Sequence, residues 1–260
     1  MDQHVNPPIL MREHIWRFNE AASFGPYVDS YLIVGSEKAL LVDTLQTDTG
    51  LYEEVRKITD KPLEVFITHG HGDHAGVATR EFHEAGVPIY MSHLDVDQLV
   101  SRSRYGAQKD WFLDLVPGQI FDLGGFVFHT ISIDGHSKGS MVALDYENQL
   151  LFSGDGIGSG HFWMQLPNCS PLHVFCENLR ALVKECGKCP DLLVFPGHYD
   201  QSPVQLTGQF VRDVLETTEG LLDGSLKGEP FHQVLGQRTI DCCQISRGVM
   251  VSYLYDPNNF

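Results

Sequence analysis

The sequence predicts an α/β fold of four layers (αββα), in which two mixed β-sheets pack face to face and helices cover their outer faces. Short apolar runs that end at glycine, proline or aspartate predict the strands, and longer segments with helical spacing of apolar residues predict the helices. Both kinds of element alternate in two successive groups, without a polar linker or an internal repeat. We therefore expect residues 1–260 to form one domain, with halves of roughly 1–125 and 126–260.

The first half begins with a predicted hairpin, because two apolar runs flank the polar turn 35–38. In the helix that follows, Leu51 and Val55 lie on one apolar face. Gly86 and Pro88 end the second helix, since glycine favours a helix C-terminus and the residue before proline avoids helical geometry. The predicted strands are 31–34, 39–43, 63–68 and 89–91, and the predicted helices are 48–59, 75–85 and 95–103.

The second half begins with four closely spaced apolar runs, which predict a block of strands. A helix and a strand come next, followed by a long helix in which Phe210, Val214 and Leu221 face inward. The predicted strands are 119–123, 126–133, 140–146, 149–153, 191–195 and 248–255, and the predicted helices are 172–186 and 205–222.

The chain is acidic, with 34 acidic and 18 basic residues and a formal net charge of −16. This balance argues against nucleic acid and anionic membranes as partners, because both require basic surfaces. Residues 1–13 lack the features of a secretory signal, and no apolar run approaches the ~20 residues that span a bilayer. We therefore expect a cytoplasmic protein with a small-molecule substrate.

The six cysteines do not form the pattern of a zinc ribbon. Cys186 and Cys189 make one C-x-x-C pair, but a second pair is missing because Cys242 and Cys243 are adjacent. Reduced thiols in a cytosolic protein are therefore a better interpretation than a structural zinc site.

The most informative segment runs from Thr68 to His74, directly after a predicted buried strand. It places His69, His71, Asp73 and His74 within six residues, and imidazole nitrogen and carboxylate oxygen together suit zinc and similar divalent metals. Glycines at positions 70 and 72 are expected to let the backbone turn sharply, so that alternate side chains converge. These residues alone cannot complete a metal site, so further ligands must come from elsewhere.

Three further junctions between a strand and a loop carry a ligand-type residue beside glycine. They hold His136, Asp155 and His198, each close to the end of an apolar run. A single histidine or aspartate of this kind is often without function, but the repeated context predicts a shared site. Asp43 ends another strand, where it acts either as a turn residue or as a support for a ligand histidine.

The succession His-x-His-x-Asp-His, Gly-His-Ser, Gly-Asp and Pro-Gly-His resembles the metallo-β-lactamase-fold hydrolases, in particular their binuclear glyoxalase II and lactonase-like branch. The resemblance extends from about residue 31 to residue 198 and includes Asp43 in the pair Asp-Thr. The fold of that family is an αββα sandwich, in agreement with the pattern of strands and helices. The combined motif is highly specific for the superfamily and weakly specific for the substrate.

The resemblance implies two divalent metal ions, with Zn²⁺ preferred and Mn²⁺ or iron as alternatives. One ion would be held by His69, His71 and His136, the other by Asp73, His74 and His198, and Asp155 would bridge both. A closed structural site takes four ligands, so a set of seven indicates two open sites and catalysis.

The expected chemistry is hydrolysis by a metal-bridging hydroxide that attacks an electrophilic carbonyl. Asp73 would orient this nucleophile and then pass a proton to the leaving group. His161 and Tyr199 are further catalytic candidates, since either could donate a hydrogen bond to the substrate carbonyl or its oxyanion. A loop histidine without any role is the more common interpretation of a residue such as His161.

The expected substrate is an ester, thioester or lactone with an apolar or aromatic acyl part. Many β-lactamases of this fold have cysteine or serine where this chain has Asp155, which argues against β-lactam cleavage. Segment 157–166 contains aromatic residues and no basic residue, unlike glyoxalase II, and Gly158 stands where similar lactonases have tyrosine. The aromatic segment 105–115 is expected to form either a lid over the site or part of the core.

Two other activities on the same fold remain open alternatives. One is a persulfide dioxygenase with a single iron, and the other is a phosphodiesterase for small molecules. A non-enzymatic metal binder is disfavoured by the complete set of seven ligands, and a homodimer is indicated only by the resemblance.

Overall fold

Three β-sheets and five α-helices make up the computed structural model, which describes residues 5–21, 27–47, 49–158, 161–235, 238–247 and 251–260. The first sheet contains, in spatial order, β1 (Ile9–Arg12), β2 (Ile15–Ala21), β3 (Tyr27–Val34), β4 (Ala39–Val42), β5 (Leu63–Phe66), β6 (Ile89–Met91) and β7 (Phe112–Asp114). The second contains β8 (Ile120–Asp122), β9 (Val127–Ser132), β10 (Met141–Asp145), β11 (Leu150–Gly154), β13 (Leu193–Pro196) and β14 (Leu206–Thr207).

The third sheet and the helices lie around these two sheets. The third sheet is formed by β12 (His161–Met164), β17 (Val251–Tyr255), β16 (Arg238–Arg247) and β15 (Glu229–Leu235), in that spatial order. The helices are α1 (Leu51–Ile58), α2 (Thr79–Glu84), α3 (His93–Arg102), α4 (Leu172–Cys186) and α5 (Gly208–Asp223). Within the described ranges, no helix is both long enough and apolar enough to cross a membrane.

Apolar side chains alternate between the two faces of each large sheet and so form separate layers of core. In β3, Tyr31 and Ile33 belong to the cluster between the two sheets, whereas Leu32 and Val34 pack with α1, α2 and α3. The second sheet repeats this pattern, with its outer face against α4 and α5. This alternation, with a period of two residues, produces the predicted αββα order of layers.

The third sheet was not predicted as a separate sheet. Its strand β12 pairs in parallel with β17, and β15, β16 and β17 form an antiparallel meander. In β15 and β16 polar residues interrupt the apolar positions, so neither strand has a clear period in its sequence. Strands β1 and β2 at the start of the first sheet also went unpredicted.

Helix α2 begins at Thr79, four residues later than predicted. The residues before it form turns that bind the loop after β4, where the Val77 amide donates to the Gln46 carbonyl at 3.0 Å. A Cβ on Gly76 would lie 2.2 Å from the carbonyl oxygens of Leu45 and Gln46. This close backbone contact replaces the first helical turn.

The two large sheets are joined where several strands end together. The Met141 amide donates to the Thr68 carbonyl at 2.9 Å, and the Asp29 amide donates to the Gly197 carbonyl at 2.9 Å. Strands β4 and β5 run parallel, as do β11 and β13. The loops after these strands therefore open toward one edge, and this edge holds the donor residues described next.

Candidate metal centre

Seven buried or half-buried donor residues meet at the joined strand ends. They form three overlapping groups, in each of which the ligand atoms lie within 4.8 Å of one another. The groups are His69, His71 and His136; His69, His74 and Asp155; and Asp73, His74 and His198. The structure thus brings together all seven residues that the sequence analysis proposed as metal ligands.

The first group consists of three imidazoles from two loops. His71 Nδ1 lies 3.0 Å from His69 Nε2 and 2.8 Å from His136 Nε2. The other nitrogen of His136 donates to the Trp163 carbonyl at 2.7 Å, so its Nε2 carries a lone pair toward the group. His69 Nδ1 lies 3.1 Å from Thr68 Oγ1. Because Thr68 Oγ1 donates its own proton to Asp43, it accepts from His69 Nδ1, and His69 Nε2 therefore carries the lone pair.

The group of Asp73, His74 and His198, called the second donor group from here on, is held in the same way. His74 Nδ1 lies 2.8 Å from Asp43 Oδ2, and His198 Nδ1 donates to the Tyr27 carbonyl at 2.9 Å. The Nε2 atoms of both rings face carboxylates: His74 Nε2 is 3.9 Å and His198 Nε2 is 3.7 Å from Asp73 Oδ2. The remote nitrogen of each ring thus fixes its orientation, as is usual for metal-binding histidines.

Asp155 lies between the two groups. Its Oδ1 is 3.5 Å from His74 Nε2, and its Oδ2 is 3.7 Å from His136 Nε2 and 3.4 Å from His198 Nε2. One carboxylate therefore reaches imidazoles of both sets.

The imidazoles of the two groups differ in their electrostatics. Burial, reinforced by the neighbouring histidines, lowers the pKa of His69 well below its usual range and that of His71 to about 3. Burial also acts to lower the pKa of His198, but Asp155 and Asp73 outweigh it and raise that pKa to about 9. The same carboxylates, with Asp43, raise the pKa of His74 well above its usual range. Burial thus favours the neutral form of His69 and His71, whereas His74 and His198 are paired with negative charge.

These residues fit a divalent cation. Within the described part of the chain, neither His74 Nε2 nor Asp155 Oδ1 has a hydrogen-bond partner, although both atoms are buried. Buried polar atoms are rarely left without a partner. The lone pairs of His69 Nε2 and His136 Nε2 both face His71 Nδ1, which has at most one proton to donate, so a cation would satisfy these nitrogens better. Nitrogen and carboxylate donors suit zinc, manganese and iron.

Close packing around the cluster requires glycine at two strand ends. Gly154, which ends β11, has a φ of 51°, and a Cβ there would lie 2.3 Å from Thr68 Oγ1. A Cβ on Gly197, directly after β13, would lie 2.3 Å from His74 Cε1 and 2.8 Å from Asp155 Oδ1. These glycines let the second sheet approach the histidine loop of the first.

The glycines inside the histidine motif act differently from the expectation of a sharp turn. Neither Gly70 nor Gly72 has a positive φ. Gly70 is needed for space, because a Cβ there would lie 2.7 Å from Asp95 Cβ, whereas a Cβ on Gly72 would meet no atom within 4 Å. The convergence of the histidines therefore comes from packing rather than from glycine conformation.

The additional catalytic candidates are placed as follows. Tyr199 lies beside His198, but its hydroxyl donates to Gln205 Oε1 at 2.9 Å, so donation to a substrate oxyanion would first require that bond to break. The backbone of His161 begins β12, and its side chain lies outside the described residues, so its role stays a prediction. Segment 105–115 is part of the fold, since Phe112 starts β7 and is buried in the core.

Sequence reasoning missed two groups of residues that support the cluster. Asp95 accepts hydrogen bonds from both histidine-bearing loops. Arg17 and Asp29 lie under the loop of His198, where the Tyr199 amide donates to Asp29 Oδ2 at 2.6 Å. The only signal in the sequence is the presence of charged residues in segments that otherwise build the core.

The fold and the donor cluster define an αββα protein with a site suited to divalent metals. A model of the metallo-beta-lactamase superfamily matches residues 24–198, so the chain belongs to that superfamily. Structures of metallo-β-lactamases from Pontibacter korlensis and Hirschia baltica, each 16% identical, superpose with TM-scores of 0.65 and 0.61. Each alignment covers 83% of this chain, with 99% of the first neighbour and 98% of the second. At this identity the likeness establishes the fold alone.

Three relatives of this chain are described as hydrolases or thioesterases. The probable polyketide biosynthesis zinc-dependent hydrolase BaeB of Bacillus velezensis is 29% identical over 58% of this chain and 67% of its own length. The acyl-coenzyme A thioesterase MBLAC2 of Gallus gallus is 26% identical over 71% of this chain and 76% of its own length. An atrochrysone carboxyl ACP thioesterase of Claviceps purpurea is 29% identical over 50% of this chain, and the match spans only 39% of that enzyme. These relatives confirm the expectation of a hydrolase in this superfamily.

Proposed function

We propose that this protein is a binuclear hydrolase of thioesters, with esters and lactones as related substrates. The observation that carries the proposal is Asp155, whose carboxylate oxygens approach imidazoles of both donor groups. A centre for one cation would not need seven donors, and the two groups match the two open sites of a binuclear hydrolase. The relatives that act on thioesters supply the substrate class.

The proposed ligands of the two cations correspond to the two donor groups. His69, His71 and His136 would hold one cation, and Asp73, His74 and His198 the other, with Asp155 shared between them. Two Zn²⁺ ions are proposed because imidazole predominates among the donors and because BaeB is described as zinc-dependent. When bound, such ions would supply hydroxide near neutral pH and polarise the substrate carbonyl.

The residues of the chain would carry the remaining steps. Asp73 would hold the proton of the attacking water on a carboxylate oxygen and transfer it to the leaving sulfur, because Asp73 Oδ2 faces the site beside two imidazoles. Asp43 would keep His74 Nε2 directed inward by accepting from Nδ1. His161 remains the proposed donor to the substrate carbonyl.

The acyl part of the substrate is proposed to be apolar or aromatic. Segment 157–166, which follows Asp155, carries no lysine or arginine. A glutathione carboxylate would meet neither of these cationic side chains in that segment, so an uncharged acyl group is the better match. Phe162 and Met164 pack in the core with α4, so they do not supply the acyl-binding surface.

The first experiment measures metal content and hydrolysis together. The protein is purified without oxygen, its metals are quantified, and it is assayed with matched acyl thioesters, esters, lactones and phosphodiesters. We expect about two ions per chain and fastest turnover of thioesters, with activity abolished by a chelator and restored by zinc.

Variants and alternative products make this test decisive. His71→Ala and Asp155→Ala should lose turnover by a factor of about 10² or more, whereas Asp97→Asn, an exposed change on α3, should not. Full activity of both site variants would refute the proposal. A single iron with oxygen uptake on persulfide, or turnover of phosphodiesters alone, would establish one of the alternative activities instead.

A further inference from the structure

Asp95 is a buried carboxylate that touches both histidine-bearing loops of the first donor group. It lies in the first turn of α3 and is 2% exposed. Its Oδ2 accepts from the Gly70 amide at 2.9 Å, between His69 and His71. The same oxygen accepts from Ser137 Oγ at 2.6 Å, and its Oδ1 accepts from the Gly139 amide at 2.9 Å, on the loop that carries His136.

Asp95 packs closely against the backbone of both loops. A Cβ on Gly70 would lie 2.7 Å from Asp95 Cβ, and a Cβ on Gly139 would lie 2.6 Å from Asp95 Cγ. Both loops therefore have glycine where the carboxyl group passes between them. One loop follows β5 of the first sheet and the other connects β9 and β10 of the second, so Asp95 joins two halves of the fold at the site.

The bonds of Asp95 reach only one of the two donor groups. They fix the backbone between His69 and His71 and the loop just after His136. His74 and His198 are instead oriented by Asp43 and the Tyr27 carbonyl. Backbone bonds to a buried carboxylate are strong, since the carboxylate offers several acceptor positions and is shielded from water.

We propose that Asp95 is a positioning residue that sets the spacing of His69, His71 and His136 and thereby the cation affinity of this group alone. The inference rests on the proposed cation site. Loss of a hydrogen bond that holds metal ligands in place, without itself touching the metal, typically weakens metal binding by about tenfold to a hundredfold. We expect a loss of that size for the three-histidine group and an unchanged affinity for the group of Asp73, His74 and His198.

The test is a mutant cycle on zinc affinity, measured by chelator competition with the purified protein of residues 1–260. Asp95→Asn keeps the side-chain shape but offers one acceptor oxygen where the three donors use two. Its effect is measured alone, with His136→Ala, which disables the first group, and with His198→Ala, which disables the second. We expect the roughly tenfold to hundredfold loss to persist beside His198→Ala and to vanish beside His136→Ala.

A general structural role would give a different result. Equal losses in both backgrounds, or zinc affinity unchanged by Asp95→Asn alone, would overturn the proposal. If Asp95→Asn does not fold, Ser137→Ala removes only one of the three donors and should give a smaller loss with the same dependence on background. Asp97→Asn, two residues along the helix and exposed, is the matched control. Zinc affinity is measured without substrate, so failure of the proposed thioesterase activity would leave this test intact.

Discussion

Asp43 combines an unusual backbone conformation with a central place in the hydrogen bonding of the site. Its φ is 62°, a left-handed value that asparagine and aspartate tolerate better than most other residues. Its Oδ1 accepts from the Thr68 amide at 2.7 Å, and its Oδ2 lies 2.8 Å from both Thr68 Oγ1 and His74 Nδ1. It therefore sets both the strand end that begins the histidine motif and the orientation of one histidine.

This arrangement predicts the effect of Asp43→Asn. Asparagine keeps the backbone conformation, but its single carbonyl oxygen cannot accept from all three donors. Either the Thr68 amide, at the start of the histidine motif, or His74 Nδ1 therefore loses its acceptor. We expect zinc affinity to fall by about tenfold to a hundredfold, measured by competition with a chelator. Asp60→Asn, at an exposed position, is the control and should bind zinc normally. An unchanged affinity would mean that Asp43 serves only as a turn residue.

Asp29 predicts how stability changes with pH. Burial, only partly offset by Arg17, raises its pKa from 3.8 to about 7. Between pH 3.8 and about pH 7, Asp29 is protonated in the folded protein, whereas the same residue in the unfolded chain has lost its proton. The contribution of Asp29 to the free energy of unfolding therefore decreases as pH rises through this window and stays level above about 7.

The variant Asp29→Asn removes this dependence, and Arg17 keeps its bonds to Asp200 at 2.8 and 3.2 Å. Denaturant unfolding of both proteins at about pH 5 and about pH 8 measures the effect, because other titrating groups cancel in the comparison. Relative to the unsubstituted protein, the variant should gain stability as pH rises. Parallel pH dependences would contradict the prediction.

The helices and strands that were predicted correctly are those with a strong apolar period. Helix α4 has the predicted bounds, since Leu172, Phe175, Leu179 and Leu182 repeat at helical spacing and are all buried. Strands β9, β10 and β11 also lie within two residues of their predicted bounds. Strands β15 and β16 of the third sheet had no such signal, because polar and apolar residues mix along them. Strand β17 lies within the predicted strand 248–255, of which residues 248–250 lie outside the described residues. Pairing between distant segments cannot be derived from local pattern alone.

The cluster of donors was predictable because ligand chemistry is visible in residue types. Histidine and aspartate beside glycine at successive strand ends indicated a shared site, and the structure brings all seven side chains together. Asp95 could not be found in this way, since an aspartate in the first turn of a helix is common for its favourable interaction with the helix dipole. Its role depends on three contacts that only the folded loops create.

The packing of the histidine loop predicts that alanine is harmful at position 70 and harmless at position 72. Gly70→Ala would place a Cβ 2.7 Å from Asp95 Cβ and 2.8 Å from its carbonyl oxygen, whereas Gly72→Ala meets no atom within 4 Å. We expect Gly70→Ala to lose about 1–3 kcal/mol of unfolding free energy together with zinc affinity. Gly72→Ala should stay within about 0.5 kcal/mol of the unsubstituted protein. Denaturant unfolding and zinc titration check both, and equal losses would show that the loop needs glycine for its conformation instead.

The charge of the whole molecule bears on the choice among thioesters. The formal net charge is −16, and the segment after Asp155 has no basic residue. Coenzyme A thioesters carry several phosphate charges, whereas thioesters of N-acetylcysteamine are neutral and have the same scissile bond. Long-range repulsion between the protein and coenzyme A should therefore oppose binding of the first class and leave the second unaffected.

Varying the ionic strength tests whether charge repulsion weakens the binding of coenzyme A thioesters. At about 0.1 M salt, charges more than ~10 Å apart are largely screened, so added salt should weaken the repulsion. We expect KM for an acyl-coenzyme A to fall by a factor of about two or more between low and moderate salt, with kcat unchanged. KM for the matching N-acetylcysteamine thioester should remain constant, which controls for effects of salt on the protein itself. If KM for the coenzyme A substrate instead rises with salt, attraction dominates, and a local basic surface must bind the phosphates despite the overall charge of −16.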